Sequence, residues 1–140
     1  MSTVSTRVAM RLVVDGRADV LVPTTLGYDA IAPLAVSTVF HTSEGDVGWV
    51  FGRDLLADGV GDIVGDGDVV VCPALHRGRR VVRIALSSPS GNALLEADRR
   101  DVSAFLRAAF ALVPRGTEMD VQDLDAELAR LVGDGRPSQH

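Results

Sequence analysis

Apolar and polar residues alternate along the N-terminal part of the chain. From Val4 to Val14 the larger apolar side chains take every second position, and this period of two predicts a half-buried β-strand. Asp15-Gly16 predicts a turn into a short second strand at residues 20–22, which Pro23 ends. These two strands are expected to pair as a hairpin, and Tyr28 to Pro33 to form an irregular connection.

Two further hairpins follow from the same kind of pattern. Residues 34–41 and 47–51 alternate on either side of a turn rich in glycine and acidic residues. Residues 69–73 and 80–88 flank a tight basic turn and predict a third hairpin. The apolar run at residues 93–95 predicts an additional edge strand.

The period then changes from two to about 3.6. Residues 101–113 carry a helical apolar stripe, with Asp101 placed to cap the first turn, and residues 120–132 predict a second helix that ends before Gly133. A short helix is expected at 53–58, and the polar tail 134–140 is expected to fray. Strands followed by helices predict an α+β fold with mostly antiparallel sheets and two C-terminal helices, forming one domain over residues 1–133.

Composition excludes several classes of function. The 140 residues carry a net charge of -5, and all 14 basic residues are arginine, so phosphate backbones are repelled and we expect no nucleic-acid partner. Cys72 is the sole cysteine, which precludes an intrachain disulfide and fits a reducing cytoplasm. We expect membrane association only indirectly, through partners, because no apolar run reaches the roughly 20 residues of a spanning helix.

A glycine- and aspartate-rich segment at residues 59–68 is the first candidate for chemistry. Its glycine spacing misses the dinucleotide fingerprint, its aspartates repel phosphate, and it lacks the closing glutamate of a calcium loop. We interpret it as a connection between strands. Glu96 and Asp98 form a carboxylate pair without a cleft motif, and we interpret them as caps or solvated charges.

Cys72 with His41 and His76 is the second candidate. These residues could be a nucleophile and its base, with arginines nearby to activate the thiol. Cys72 lies mid-strand, however, where a small buried hydrophobe is expected. We therefore predict no catalytic residue, no cofactor and no metal site.

Four residues are candidates for partner binding. Trp49 is either a core residue or an amphipathic anchor for a partner or a subunit interface, because the chain is otherwise poor in aromatic rings. Arg77, Arg79 and Arg80 form a basic turn that is either a solvated hairpin tip or a site for acidic groups, since arginine forks bind carboxylates bidentately.

A set of phrases in a fixed order also resembles a known family. The phrases are Tyr28-Asp29, Phe40-His41-Thr42, the run from Trp49 to Gly59, Ile84 to Pro89, Gly116-Thr117-Glu118 and Leu124 to Leu128. Together they are similar to the SsgA-like family of actinomycete sporulation and cell-division proteins, especially its SsgB branch.

The resemblance implies a non-enzymatic developmental protein. Such a protein marks septum sites in sporulating actinomycetes, works with an SsgA-type paralogue, and recruits the tubulin-like GTPase FtsZ and promotes its assembly. The family resemblance also implies a Whirly-like fold and a bell-shaped homotrimer. Alternatives are a single-stranded nucleic-acid-binding module, a paralogue acting on peptidoglycan machinery, and an enzyme with a deep pocket.

Overall fold

A computed structural model describes residues 3–15, 17–65 and 67–116 of the chain. This part contains a run of four strands, a short helix, three more strands and a longer helix. In chain order they are β1 (Thr3–Val14), β2 (Arg17–Asp29), β3 (Ala35–Thr42), β4 (Gly45–Gly52), α1 (Arg53–Gly59), β5 (Val69–His76), β6 (Arg79–Ser88), β7 (Gly91–Asp98) and α2 (Arg99–Leu112).

The described strands form one antiparallel sheet in the order β4-β3-β2-β1-β7-β6-β5. The three predicted hairpins are confirmed as β1–β2, β3–β4 and β5–β6. The two halves of the sheet join where Met10 to Leu12 of β1 pair with Leu95 to Ala97 of β7. The predicted α+β class with mostly antiparallel strands is confirmed, while the predicted helix at 120–132 and the tail at 134–140 lie outside the described residues.

β2 is much longer than the predicted strand at residues 20–22. It runs through Pro23 and includes Tyr28 and Asp29, which the sequence placed in an irregular connection. Pro23 is tolerated because β2 begins to pair with β3 only at Thr24, on the side toward which the missing N–H would point. Tyr28, the last residue but one of the strand, is buried opposite Val4 of β1.

β7 is central in the sheet, so the predicted edge strand at 93–95 was wrong in position. It pairs with β1 on one side and with β6 along its whole length on the other. Leu95 and Ala97 are buried accordingly. The short apolar run gave no sign of this, because pairing between β1 and β7 joins segments more than eighty residues apart in sequence.

α2 packs on one face of the sheet, which we call the helix face. The helix begins at Arg99, two residues before the predicted start, because Asp98 rather than Asp101 is its N-cap. The Asp98 carboxylate accepts a hydrogen bond of 2.9 Å from the Arg100 N–H. Its buried stripe is Val102, Phe105, Leu106 and Ala109, which meets inward-facing strand residues such as Val8, Met10 and Ile84.

A fully buried arginine ties α1 to the end of α2. The Arg53 guanidinium donates to the Tyr28 hydroxyl at 2.9 Å and to the carbonyls of Ala109 at 3.3 Å and Val113 at 2.6 Å. It also lies 4.1 Å from the ring centroid of Phe110. The C-terminal end of a helix carries negative partial charge, so this cation stabilises that end. It supplies a donor to the Val113 carbonyl and a second donor to the Ala109 carbonyl, which also accepts from the Val113 N–H at 3.2 Å.

Candidate functional site

Trp49 lies on the edge strand β4, at the boundary between the core and the surface. Strand parity points Val47, Trp49 and Phe51 toward the helix face, and Phe51 is buried while Val47 is 46% exposed. Trp49 is half-buried and packs against the core. The core therefore holds the indole ring in place, while part of the ring stays exposed to solvent.

Beside Trp49 is an apolar cavity of about 310 Å³, which we call the Trp49 groove. Its walls come from both halves of the sheet, since β4 and β6 both contribute although four strands separate them in the sheet order. The sheet must be strongly curved for these strands to face one cavity. The lining residues are Leu12, Val22, Phe40, Thr42, Val47, Trp49, Leu86, Ser88, Ser90, Gly91, Asn92, Ala93 and Leu95.

The chemistry of the Trp49 groove is that of a binding surface. Its polar groups are the hydroxyls of Thr42, Ser88 and Ser90 and the amide of Asn92. None of the described residues that line it is titratable. The groove thus offers apolar contact and a few hydrogen bonds.

The basic turn is a separate surface. Arg77, Arg79 and Arg80 are exposed at the tip of the β5–β6 hairpin, where Arg77 and Gly78 have φ values of 52° and 81°. Nine strand steps of β6 lead from this tip to Ser88 at the Trp49 groove, which is about 30 Å. The structure therefore does not bring Trp49 and the arginine turn into one site.

One of the three arginines has an internal partner. Arg79 donates to the Asp98 carboxylate at 2.6 Å. The hydrogen bond from the Arg100 N–H, together with the positive charge of Arg79, lowers the pKa of Asp98 below its ordinary value. Arg77 and Arg80 have no such contact in the part of the chain that the structure describes, so they are the members of the turn that an acidic partner would meet.

The candidate nucleophile and base do not assemble. His41 is on β3, where it bonds with Thr25 at 2.8 Å and Asp46 at 2.9 Å. Cys72 and His76 are on β5, the edge strand at the opposite end of the strand order. Cys72 is half-buried on the face opposite α2, so the expectation of a buried hydrophobe was wrong. It lies opposite a charged residue, Arg83 of β6.

Glu96 is the polar residue that the sequence described least well. It was interpreted as a cap or solvated charge, yet it is only 1% exposed. Its Oε2 accepts a hydrogen bond of 2.8 Å from Arg83, and its Oε1 lies 3.6 Å from His76 Nδ1. These three residues belong to β5, β6 and β7, so only the sheet register brings them together.

Within residues 3–15, 17–65 and 67–116, no group of three or more His, Cys, Asp or Glu residues could hold a metal ion. None of the described helices is long and apolar enough to cross a membrane.

Most of the Trp49 groove is not predicted by the sequence pattern. Val47, Leu86 and Leu95 were treated only as strand residues. Parity with Trp49 could have indicated Val47, because residues two apart on a strand share a face. Leu86 and Leu95 carried no such signal, since their approach to β4 depends on the curvature of the whole sheet.

Fold and groove together define a small α+β domain whose accessible features are suited to binding. A family model described as "Streptomyces sporulation and cell division protein, SsgA" matches residues 22–118. The chain belongs to this family, in its SsgB branch.

Individual relatives agree with this assignment. The sporulation-specific cell division proteins SsgB of Frankia casuarinae and of Streptomyces coelicolor are each 48% identical over 134 residues, which is 95% of this chain and 94% and 98% of those proteins. A structure from work on SsgB mutations that correlate to longitudinal cell division during sporulation of Streptomyces coelicolor is 49% identical. It has a TM-score of 0.82 over 85% of this chain and 94% of that one.

A second solved structure shows the same fold at lower identity. It is the SsgA-like sporulation-specific cell division protein of Thermobifida fusca, 38% identical, with a TM-score of 0.81 over 91% of this chain and 94% of that one. The chain is therefore a member of a family of sporulation and cell-division proteins, and it shares their antiparallel α+β architecture.

Proposed function

We propose that this protein is a non-enzymatic, cytoplasmic adaptor that acts at the division septum. It controls sporulation-specific selection of septum sites by recruiting FtsZ and promoting FtsZ assembly, with an SsgA-type paralogue as a further partner. The relatives' name, sporulation-specific cell division protein, supports the process. The single structural observation that carries a binding role is the apolar, non-titratable Trp49 groove beside a half-exposed tryptophan.

The proposed active form is a bell-shaped homotrimer with a Whirly-like subunit. Several apolar side chains are well exposed in the single chain, including Leu21, Ile31 and Val50, and an assembly would bury some of them. Three identical binding surfaces would make a weak contact with a polymerising partner multivalent. Modest affinity per subunit is then sufficient for durable recruitment, and contact with the membrane is indirect, through division partners.

Trp49, Arg77, Arg79 and Arg80 are the proposed contact residues. Trp49 would serve as the apolar anchor, and the arginine turn would meet acidic groups. Because the two surfaces lie about 30 Å apart along β6, they would contact different segments of a partner, or different subunits of a filament. Each surface can thus be tested by itself.

The test combines mass and polymer binding. Light scattering coupled to size exclusion gives the oligomer mass, and co-sedimentation with FtsZ and GTP at two salt concentrations gives recruitment. We expect a trimer that increases FtsZ pelleting. A trimer that leaves FtsZ unchanged and retains labelled single-stranded DNA in a salt-dependent manner would instead establish the nucleic-acid module.

Matched variants locate the contact. Trp49→Ala should reduce FtsZ pelleting while the trimer mass is retained. The control is Leu75→Ala, which removes an apolar side chain that is 67% exposed on β5, the opposite edge strand, and should leave FtsZ pelleting unchanged. Replacing Arg77 and Arg80 by serine tests the basic turn, and replacing the exposed Arg107 of α2 is its control. Equal pelleting by Trp49→Ala and the native protein would exclude Trp49 as the anchor.

A further inference from the structure

The two edges of the sheet differ in their capacity to accept another strand. On β5, the backbone groups of Val71 point outward and are already taken, since Val64 and Val71 exchange two hydrogen bonds of 2.9 Å. Pro73 is the next residue with the same outward orientation, and it has no N–H to donate. The β5 edge is therefore closed to a continuous added strand.

The β4 edge is open. The Arg53 N–H bonds to the Leu34 carbonyl at 2.8 Å, and this fixes the parity of the β3–β4 ladder, because bonded pairs recur at every second residue. It follows that Asp46, Gly48 and Val50 point their N–H and C=O groups away from β3. No described residue bonds to these backbone groups from outside the sheet, and β4 contains no proline.

Side-chain space lies next to these open backbone groups. An added strand would extend the sheet, and its alternate residues would stand beside Val47 and Trp49 on the helix face. These are the residues that wall the Trp49 groove, whose volume of about 310 Å³ is large enough for apolar side chains. On the opposite face, Gly48 has nothing within 4 Å of a would-be Cβ and Val50 is 54% exposed, so an added strand meets no obstruction there.

Charge distinguishes the possible occupants of this edge. Glu44 and Asp46 are exposed at the first end of β4, where Asp46 bonds to His41 at 2.9 Å. Asp54 and Asp58 are exposed just beyond its other end, where Arg115 pairs with them at 3.6 Å and 3.3 Å, so two carboxylates share one guanidinium there. Antiparallel pairing of β4 with a second copy of itself would place the acidic ends against each other. A strand with basic residues at its ends would meet opposite charge at both.

We propose that the β4 edge binds an extended segment of a partner protein as an eighth strand, with alternate apolar side chains in the Trp49 groove and basic residues at the segment's ends. Main-chain hydrogen bonds to Asp46, Gly48 and Val50 supply a general affinity, and the groove supplies selectivity for apolar side chains. This inference rests on the proposed adaptor function, because it specifies the kind of segment that the Trp49 surface would take.

The probe is a synthetic peptide of about nine residues, with alternating valine and threonine in the centre and arginine at both ends, titrated into the ¹⁵N-labelled full chain. The amide signals of Asp46, Gly48 and Val50 should shift and their hydrogen exchange should slow. A peptide with glutamate at both ends should bind at least about tenfold more weakly. Signals that move elsewhere but not on β4, or equal binding of the two peptides, would overturn the proposal.

Backbone pairing is tested on both partners. Val50→Pro removes an outward N–H without removing a bond to β3, and it should weaken binding of the peptide by about tenfold or more. Val50→Thr keeps that N–H and should bind the peptide like the native chain. Methylating the peptide nitrogens along one edge should abolish binding while methylation along the other edge does not, and this comparison does not depend on the folding of any variant. Equal binding of the two methylated peptides would overturn the proposal.

Two further outcomes separate this inference from its alternatives. A doubling of mass that requires the β4 edge and is not reversed by the peptide would assign that edge to a second copy of the chain and overturn the proposal. Failure of the co-sedimentation assay with native protein would overturn the proposed adaptor function, while the peptide titration would still decide how the β4 edge binds.

Discussion

Replacing the buried Arg53 by methionine tests the central feature of the packing between α1 and α2. Methionine retains much of the side-chain volume and removes the guanidinium. The carbonyls of Ala109 and Val113 would then lose a charged donor, and a hydrogen bond to a charged group contributes about 1.5–3 kcal/mol. The contact with the Phe110 ring adds about 1 kcal/mol.

We therefore expect Arg53→Met to lower the free energy of unfolding by about 3–5 kcal/mol, a large part of the total for a domain of this size. Arg53→Lys should lie in between, because lysine keeps the charge but lacks the flat guanidinium that stacks on the Phe110 ring. Urea unfolding followed by circular dichroism, at one fixed protein concentration, measures the difference. The fixed concentration matters because assembly adds to apparent stability.

Arg107→Met is the matched control. Arg107 is exposed on the same helix, so its replacement should change stability by less than about 0.5 kcal/mol. A loss of less than about 1 kcal/mol in Arg53→Met would refute the argument. It would mean that the carbonyls at the end of α2 find other partners at little cost.

Two further predictions concern α2 and α1. Asp98→Asn should keep much of the N-cap but remove a pH dependence of the free energy of unfolding. Because the pKa of Asp98 is lowered in the folded state, its ionised form stabilises the fold at pH values above the ordinary pKa of 3.8. This contribution is lost as the pH falls through the folded pKa. Gly59→Ala should destabilise by about 1–3 kcal/mol, since the added Cβ would lie 2.2 Å from Cγ1 of Val71, whereas Gly61→Ala meets open space.

Each of these predictions has a clear contrary result. Acid unfolding curves that coincide for Asp98→Asn and the native protein would show that the Asp98 carboxylate makes no pH-dependent contribution. For the glycine pair, thermal unfolding should separate the two variants. Equal midpoints for Gly59→Ala and Gly61→Ala would show that α1 moves away from β5 at no measurable cost.

The elements that the sequence predicted well are those specified by neighbouring residues. Three kinds of feature depend only on residues close together in sequence: the alternation in β1, the hairpins β3–β4 and β5–β6, and the apolar stripe of α2. A periodic pattern together with turn residues is local information, and it was sufficient for these elements. The family resemblance was likewise carried by short phrases and is confirmed by the match over residues 22–118.

The sequence did not predict features that depend on contacts between distant segments. β2 continues through Pro23 because of where β3 begins to pair, and β7 is central because β1 joins it. Glu96 is buried because β5 and β6 place His76 and Arg83 beside it. In each case the surroundings of a strand or side chain are set by the register of the sheet, which the secondary-structure propensities of single residues do not encode.

The candidate site shows the same division. Sequence by itself determined that Trp49 is on a strand and is amphipathic, and that an arginine turn is the local basic cluster. Only the tertiary structure decided that Trp49 lies on an open edge beside an apolar groove, and that the arginine turn is about 30 Å away along β6. The physical reason is that local sequence specifies the direction in which a side chain points, whereas the order and curvature of the strands decide what it meets.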